Sequence, residues 1–170
     1  MIKKHYYSWN DIERMCVSIV TQMYKDNWRP DYIVGITRGG NVPATIISNM
    51  TGIRCEAIKV SLRDDDSESE SNCWMAEDAF GYPHQDSGGQ GKKILIVDDI
   101  NDTGATFNWI MKDWQSSCLP GDDKWQSVWN NNVRFATMCE KTHTNFSSVN
   151  YVWEEIDTSE SDTWMVFPWE

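Results

Sequence analysis

Residues 94–107, Ile-Leu-Ile-Val-Asp-Asp-Ile-Asn-Asp-Thr-Gly-Ala-Thr-Phe, run four apolar residues straight into a polar turn that carries three carboxylates. The apolar run reads as a buried strand. The turn contains a glycine, and the apolar periodicity that resumes after it predicts a helix over about 104–117. Few architectures place a strand, a tight polar turn and a helix in direct succession. The usual one is an open α/β sheet, in which ligands sit at the carboxyl ends of the strands. Asp98, Asp99 and Asp102 would crowd like charge at that edge, which raises carboxyl pKa values and costs stability unless something compensates it.

The rest of the chain fits the same architecture. Ile12, Met15, Cys16, Ile19, Val20 and Met23 recur at helical spacing over 11–25, with Asp11 near the start of the helix. A short buried strand is expected over 32–37, ending in Gly-Gly, and then a helix from about Pro43 to Gly52. Ile53–Leu62, Lys92–Ile100, Asn131–Lys141 and Asn150–Ile156 read as further strands. Strand and helix alternate, so the expected fold is a mostly parallel central sheet flanked by helices. Between Arg63 and Gly91 the pattern lapses into an acidic, serine-rich stretch and a cluster of turn formers. This reads as a long excursion with no element of its own, a loose hairpin at most. A linker between two domains is disfavoured, because the flanking segments are too short to fold separately.

Composition narrows the function. At 170 residues the chain can bury a single core. Its net charge of −11 disfavours nucleic acid as a partner, since phosphate backbones are bound by clustered Lys and Arg. No apolar run approaches a membrane span, and the first residues lack the apolar core of a secretory signal. Five scattered cysteines, none in a C-x-x-C pair, suit free thiols in a reducing compartment, so a cytoplasmic protein is expected. Cys139 and His143 lie four apart, but without a second pair they read as packing residues and not as metal ligands. His5 and His84 have no assigned role.

The turn at 98–106 has two halves with different needs. After Gly104 the first N–H groups of a helix point outward, and Thr103 and Thr106 add hydroxyls, which together suit a phosphate. Asp98 and Asp99 can accept from vicinal hydroxyls or hold Mg²⁺ directly or through water. A phosphate site beside a pair of hydroxyl acceptors describes a ribose 5-phosphate. Two rivals are weaker. The D-D-x-x-D motif that binds prenyl diphosphates through Mg²⁺ lies on a helix of an all-helical fold, and a plain solvated turn has no need of both halves.

This stretch closely resembles the PRPP motif of the type I phosphoribosyltransferases. Gly35–Ala44, Gly-Ile-Thr-Arg-Gly-Gly-Asn-Val-Pro-Ala, resembles that family's pyrophosphate loop, in the version found in bacterial xanthine-guanine phosphoribosyltransferases. Asp162–Glu170, Asp-Thr-Trp-Met-Val-Phe-Pro-Trp-Glu, resembles the hood segment of the same subfamily, and Lys141 stands where that subfamily has a lysine at a strand end. The likeness covers about Tyr7 to Glu170. It implies one phosphoribosyltransferase domain over 1–170, with a flexible loop at about 62–90, starting near Ser61, and a small hood from about 141–170 that the N-terminus helps to form.

The resemblance also implies residue roles. Asp98 and Asp99 would hold the ribose hydroxyls, in part through Mg²⁺, and Asp102 would accept or relay the purine N7 proton. Thr103, Gly104, Ala105 and Thr106 would cradle the 5-phosphate, while Arg38, Gly39 and Gly40 would contact the pyrophosphate. Lys141 would donate to the 6-oxygen and so select oxopurines over adenine. Trp164 would stack on the base, with the Met165 backbone near its exocyclic edge. The implied activity is Mg²⁺-dependent transfer of phosphoribosyl from PRPP to guanine, xanthine or hypoxanthine in purine salvage, by a homodimer or homotetramer. Arg63 is the only cation between Ser61 and Lys92, beside Asp64, Asp65, Asp66, Glu68, Glu70 and Asp78. The family's loop carries more basic character. Two alternatives therefore stay open: a catalytically weak PRPP- or nucleotide-binding regulator, and an enzyme acting on another base.

Overall fold

The computed structural model of the chain describes residues 1–60, 72–83 and 88–170. Its element order is β1 (Lys3–Tyr6), α1 (Trp9–Lys25), β2 (Tyr32–Thr37), α2 (Asn41–Thr51), β3 (Cys55–Lys59), α3 (Cys73–Phe80), β4 (Ile94–Asn101), α4 (Ala105–Ser117), a 3-10 turn (Asp123–Ser127), β5 (Val133–Lys141), β6 (Tyr151–Ile156) and β7 (Thr163–Val166). Five strands form one sheet in the order β3-β2-β4-β5-β6, parallel throughout. This is the mostly parallel, helix-flanked sheet expected from the alternation of elements.

Both faces of the sheet are covered, which is why its central strands are continuously apolar. Alternation along β4 sends Leu95 and Val97 into one core, with Ile12, Met15 and Ile19 of α1 and Ile47 of α2. Ile94 and Ile96 point into the other, with Phe107, Ile110 and Trp114 of α4 and Met75 and Phe80 of α3. The helix after β2 therefore packs on one face and the helix after β4 on the opposite face. β2 connects outward to β3 while β4 connects the other way to β5, so the strand order reverses between β2 and β4. In an open sheet the crevice beyond the carboxyl ends of such a strand pair is the usual ligand site.

Local chemistry sets the element ends. Ser8 caps α1: its hydroxyl accepts from the Asp11 N–H at 3.1 Å and the Asp11 carboxylate accepts from the Ser8 N–H at 2.8 Å. Asp11 is thus the acidic member of a capping box. α2 begins at Asn41, so Pro43 sits in its first turn, where a missing N–H costs nothing.

The largest difference from the sequence expectation lies in the 62–90 excursion. Residues 61–71 and 84–87, including Ser61, Arg63, the acids at 64–70 and His84, fall outside the described residues. Between them is a real helix, α3, whose Met75, Ala76, Ala79 and Phe80 are buried. Asp78 is buried. It accepts from the Tyr32 hydroxyl at 2.9 Å and pairs with Lys92 at 3.4 Å, fastening α3 to the sheet. β1 and β7 were also unforeseen as strands. They pair in parallel as a separate two-stranded sheet, with Lys4 opposite Trp164 and His5 opposite Met165. All five cysteines are free, and no helix among the described residues is long and apolar enough to cross a membrane.

Candidate active site

The two polar turns predicted to carry the chemistry meet at the carboxyl ends of β2 and β4. Arg38, Gly39 and Gly40 follow β2, and the Thr37–Arg38 peptide bond is cis. Gly39 lies directly against the Asp99 carboxylate, and a methyl group at Gly39 would overlap it. The glycine is therefore what allows the two turns to touch. Arg38 is exposed and makes no ion pair with any described residue, so its guanidinium is available to an anion.

Asp98 is almost fully buried and Asp99 half-buried at the end of β4. The Asp98 carboxylate accepts from the Asp99 N–H at 2.9 Å, and that of Asp99 from the Ile100 N–H at 2.8 Å. Burial, reinforced by the Asp99 charge, pushes the Asp98 carboxyl well above its ordinary value. Burial likewise raises Asp99, with the Glu170 charge adding to it. Two adjacent carboxylates in that condition favour a bound cation. Among the described residues no group of three or more metal-ligating side chains exists. The pair therefore fits a hard, oxygen-seeking ion such as Mg²⁺ that takes its remaining oxygens from a ligand or water.

Residues 98–107 line a cleft of about 180 Å³ that includes Asp98, Asp99, Asp102, Thr103, Gly104 and Thr106. Gly104 has φ +87°, the left-handed region, and any Cβ there would also strike Phe146 and Thr144. The Thr103 hydroxyl accepts from the Ala105 N–H at 3.2 Å, and no side chain caps α4. A larger depression of about 520 Å³ lies near Phe80, Gly88–Gly91, Lys124 and Asn132. It borders the segments that lead into β4 and β5, at the opposite ends of those strands. Its Lys124 amine is already bonded to the Gly89 carbonyl and rests on the Phe80 ring.

β5 delivers the other half of the site. Lys141 is buried, with its ammonium 2.8 Å from Asp162 and 3.5 Å from Asp102. It is therefore no ordinary surface lysine. Asp162 leads into β7, which carries exposed Trp164 and buried Met165. Trp169, by contrast, stacks on Phe167 at 4.9 Å and packs near Trp9, so it serves the fold.

The roles of Asn101, Thr144 and His143 escaped the sequence reading. Asn101 is buried; its amide donates to Glu140 Oε1 and to the Phe146 carbonyl, both at 2.9 Å, and its carbonyl accepts from the Thr144 hydroxyl at 3.0 Å. With the Asn145 N–H on the Thr103 carbonyl at 2.9 Å, these bonds strap the segment after β5 onto the carboxylate turn. That strap brings His143 Nε2 to 2.6 Å from Asp102 Oδ1. Cys139 points elsewhere, 3.2 Å from the Tyr7 hydroxyl. The only available signal was that Thr142-His143-Thr144 follows a buried strand at the same edge of the sheet.

The sequence matches the phosphoribosyl transferase domain family over residues 3–170. It is 30% identical over 125 residues to xanthine phosphoribosyltransferase 1 of Saccharomyces cerevisiae, covering 65% of this chain and 60% of that protein. It is 31% identical over 126 residues to the hypoxanthine-guanine phosphoribosyltransferase of Schizosaccharomyces pombe, covering 65% of this chain and 59% of the relative. The chain thus spans about 60% of the length of these curated relatives. Among solved structures, a purine phosphoribosyltransferase from Pyrococcus horikoshii superposes with a TM-score of 0.67 over 99% of this chain and 95% of that one, at 22% identity. That likeness speaks for the fold. The match over nearly the whole length, on a sheet whose reversal point holds these residues, places the chain in the phosphoribosyl transferase domain family.

Proposed function

We propose that the protein transfers the 5-phosphoribosyl group of PRPP to a 6-oxopurine (guanine, xanthine or hypoxanthine) and releases pyrophosphate. The observation that carries this reading is the position of Lys141. A buried ammonium, held between Asp102 and Asp162, stands beside a turn suited to a ribose 5-phosphate. A fixed donor at that place suits a carbonyl oxygen on a base and rejects an amino group in the same position.

The chain's own groups divide the work. Thr103, Gly104, Ala105 and Thr106 would hold the 5-phosphate at the start of α4. Asp98 and Asp99 would orient the ribose hydroxyls. Arg38, Gly39 and Gly40 would receive the departing pyrophosphate, where stabilising developed negative charge lowers the barrier. Mg²⁺ bound at Asp98 and Asp99 would supply further charge neutralisation to the phosphorylated substrate. The base nitrogen forms its bond to the anomeric carbon as the bond to pyrophosphate breaks, and its proton must leave. Asp102, half-exposed at the rim, would take or relay that proton. Trp164 would stack on the base, and the Met165 backbone would face its exocyclic edge.

Calorimetry tests the substrate half of this reading. PRPP with Mg²⁺ should bind the wild-type chain and fail to bind Asp98→Asn/Asp99→Asn. Equal affinity in both proteins would place the sugar elsewhere.

A further inference from the structure

The residue that touches Asp102 most closely, His143, has no role in the scheme above. Its Nε2 lies 2.6 Å from Asp102 Oδ1, in the range of charge-assisted hydrogen bonds. Its Nδ1 lies 2.9 Å from the Thr158 hydroxyl. Thr158 is itself fixed: its oxygen is 3.1 Å from the Thr142 hydroxyl, and its N–H donates to that hydroxyl oxygen at 2.9 Å. The imidazole is thus clamped on both nitrogens, by the carboxylate turn on one side and by the segment after β6 on the other.

The clamp serves both charge states of the ring. With a neutral ring, Nε2–H donates to Asp102 and Nδ1 accepts from the Thr158 hydroxyl, which in turn accepts from Thr142. With a protonated ring, Nε2–H still donates to Asp102, Nδ1–H donates to Thr158 Oγ1, and the Thr158 hydroxyl turns to donate to Thr142. Hydroxyl hydrogens rotate freely, so no heavy atom has to move. Only the charge beside Asp102 changes. The ring is 40% exposed by its side chain, so it exchanges protons with solvent.

Asp102 offers its second oxygen to Lys141 at 3.5 Å, and Lys141 is shared with Asp162 at 2.8 Å. Among the described residues, these three are the charged groups that face His143. On the Thr158 segment, the Asp157 carboxylate turns back to accept from the Ser159 N–H. When the imidazole is protonated, Asp102 is flanked by two cations, and a positive neighbour disfavours proton uptake by a carboxylate. When the imidazole is neutral, one shared ammonium remains and Asp102 becomes the better acceptor.

We propose that His143 is a positioning residue which fixes Asp102 and sets the pH range over which it accepts the proton released by the purine. This rests on the phosphoribosyl transfer proposed above. The proton passes from the base nitrogen to Asp102 as the new C–N bond forms and the electron pair of the broken C–O bond leaves with pyrophosphate. It then passes to water at the exposed rim. His143 gains and loses nothing in the step itself.

Two measurements on the full chain test this. In the first, kcat and KM with a 6-oxopurine and PRPP are followed from pH 5.5 to 9 for wild type, His143→Leu and His143→Gln. Wild type should show an acidic limb in kcat. His143→Leu should lose about tenfold in kcat at neutral pH with KM for PRPP unchanged. His143→Gln, whose amide still donates to Asp102 but does not titrate, should recover most of that loss and lack the limb. A limb of wild-type shape in His143→Gln overturns the proposal. The second measurement needs no turnover. The His143 Nε2–H signal followed by NMR should exchange with water faster in Asp102→Ala than in wild type, because its 2.6 Å partner is gone. An unchanged exchange rate also overturns the proposal. Absence of turnover in wild type with every base would instead refute the transfer activity on which it rests.

Discussion

Gly39→Ala isolates the contact that brings the two turns together. A Cβ at Gly39 would stand 2.6 Å from Asp99 Cγ, whereas ordinary contact begins at 3.4 Å. The backbone there is outside the left-handed region, so alanine is sterically acceptable apart from this overlap. Asp99 must therefore retreat by about 1 Å, a displacement of the size that costs on the order of 10²-fold in rate when a reacting group is held out of line. That corresponds to about 2.7 kcal/mol of transition-state stabilisation. The loss should appear in kcat/KM for PRPP, measured by pyrophosphate release. KM for the base should hold, because Lys141 and Trp164 are untouched. Thermal stability should change by less than about 1 kcal/mol, since the turn is at the surface and the alanine also restricts the unfolded chain. A Gly39→Ala protein with wild-type kcat/KM for PRPP would refute the idea that this close approach positions Asp99 for catalysis.

Other expectations follow from the same geometry. Lys141→Met should cut turnover of 6-oxopurines by about 10²-fold yet leave the melting temperature nearly unchanged, because the two carboxylates it abandons are half-exposed and can be hydrated. Asp98→Asn should raise the melting temperature of the ligand-free protein at neutral pH, by relieving a buried like-charge pair, while turnover disappears; a fall in melting temperature would contradict the like-charge argument. Burial pushes the Cys16 and Cys139 thiols up to about 12. A raised thiol pKa stabilises the fold below the ordinary value of 9.0 and is lost as pH climbs toward 12. Urea midpoints should therefore fall steadily over that interval, and iodoacetamide at pH 8.5 should spare both thiols until the chain unfolds. Ser8→Ala removes the cap of α1 and should cost about 1 kcal/mol, or roughly 2–4 °C in a thermal melt.

The parts of this molecule legible in its sequence are those in which burial and chemistry are local. β2, β4 and β5 announce themselves because both of their faces are covered, and α1 because one stripe of it faces a core. The carboxylate turn is legible because its glycine, its hydroxyls and its acids lie within nine residues of one another. β1 was missed because all four of its residues are exposed, leaving no alternation to read; it exists only through its pairing with β7. α3 was masked by polar neighbours, although the apolar residues at 75, 76, 79 and 80 have helical spacing. His143 lay beyond reach for a different reason. It meets Asp102 across 41 residues, through a strap that Asn101 and Thr144 make, and neither partner advertises the other. Lys141 was placed by likeness to a family; the geometry adds that it is buried and shared between two acids.

The most direct test is nucleotide formation from PRPP and Mg²⁺ with guanine, xanthine, hypoxanthine, adenine, uracil and orotate in parallel, using wild type and Asp98→Asn/Asp99→Asn. The expected result is a nucleoside 5′-monophosphate and an equivalent of pyrophosphate from at least one 6-oxopurine, none from adenine or the pyrimidines, and none in the double variant. Turnover of adenine or a pyrimidine in preference to every oxopurine would contradict the role given to Lys141. No turnover with any base, in a folded protein that binds PRPP, would contradict catalysis and leave a ligand-binding regulator built on the same fold.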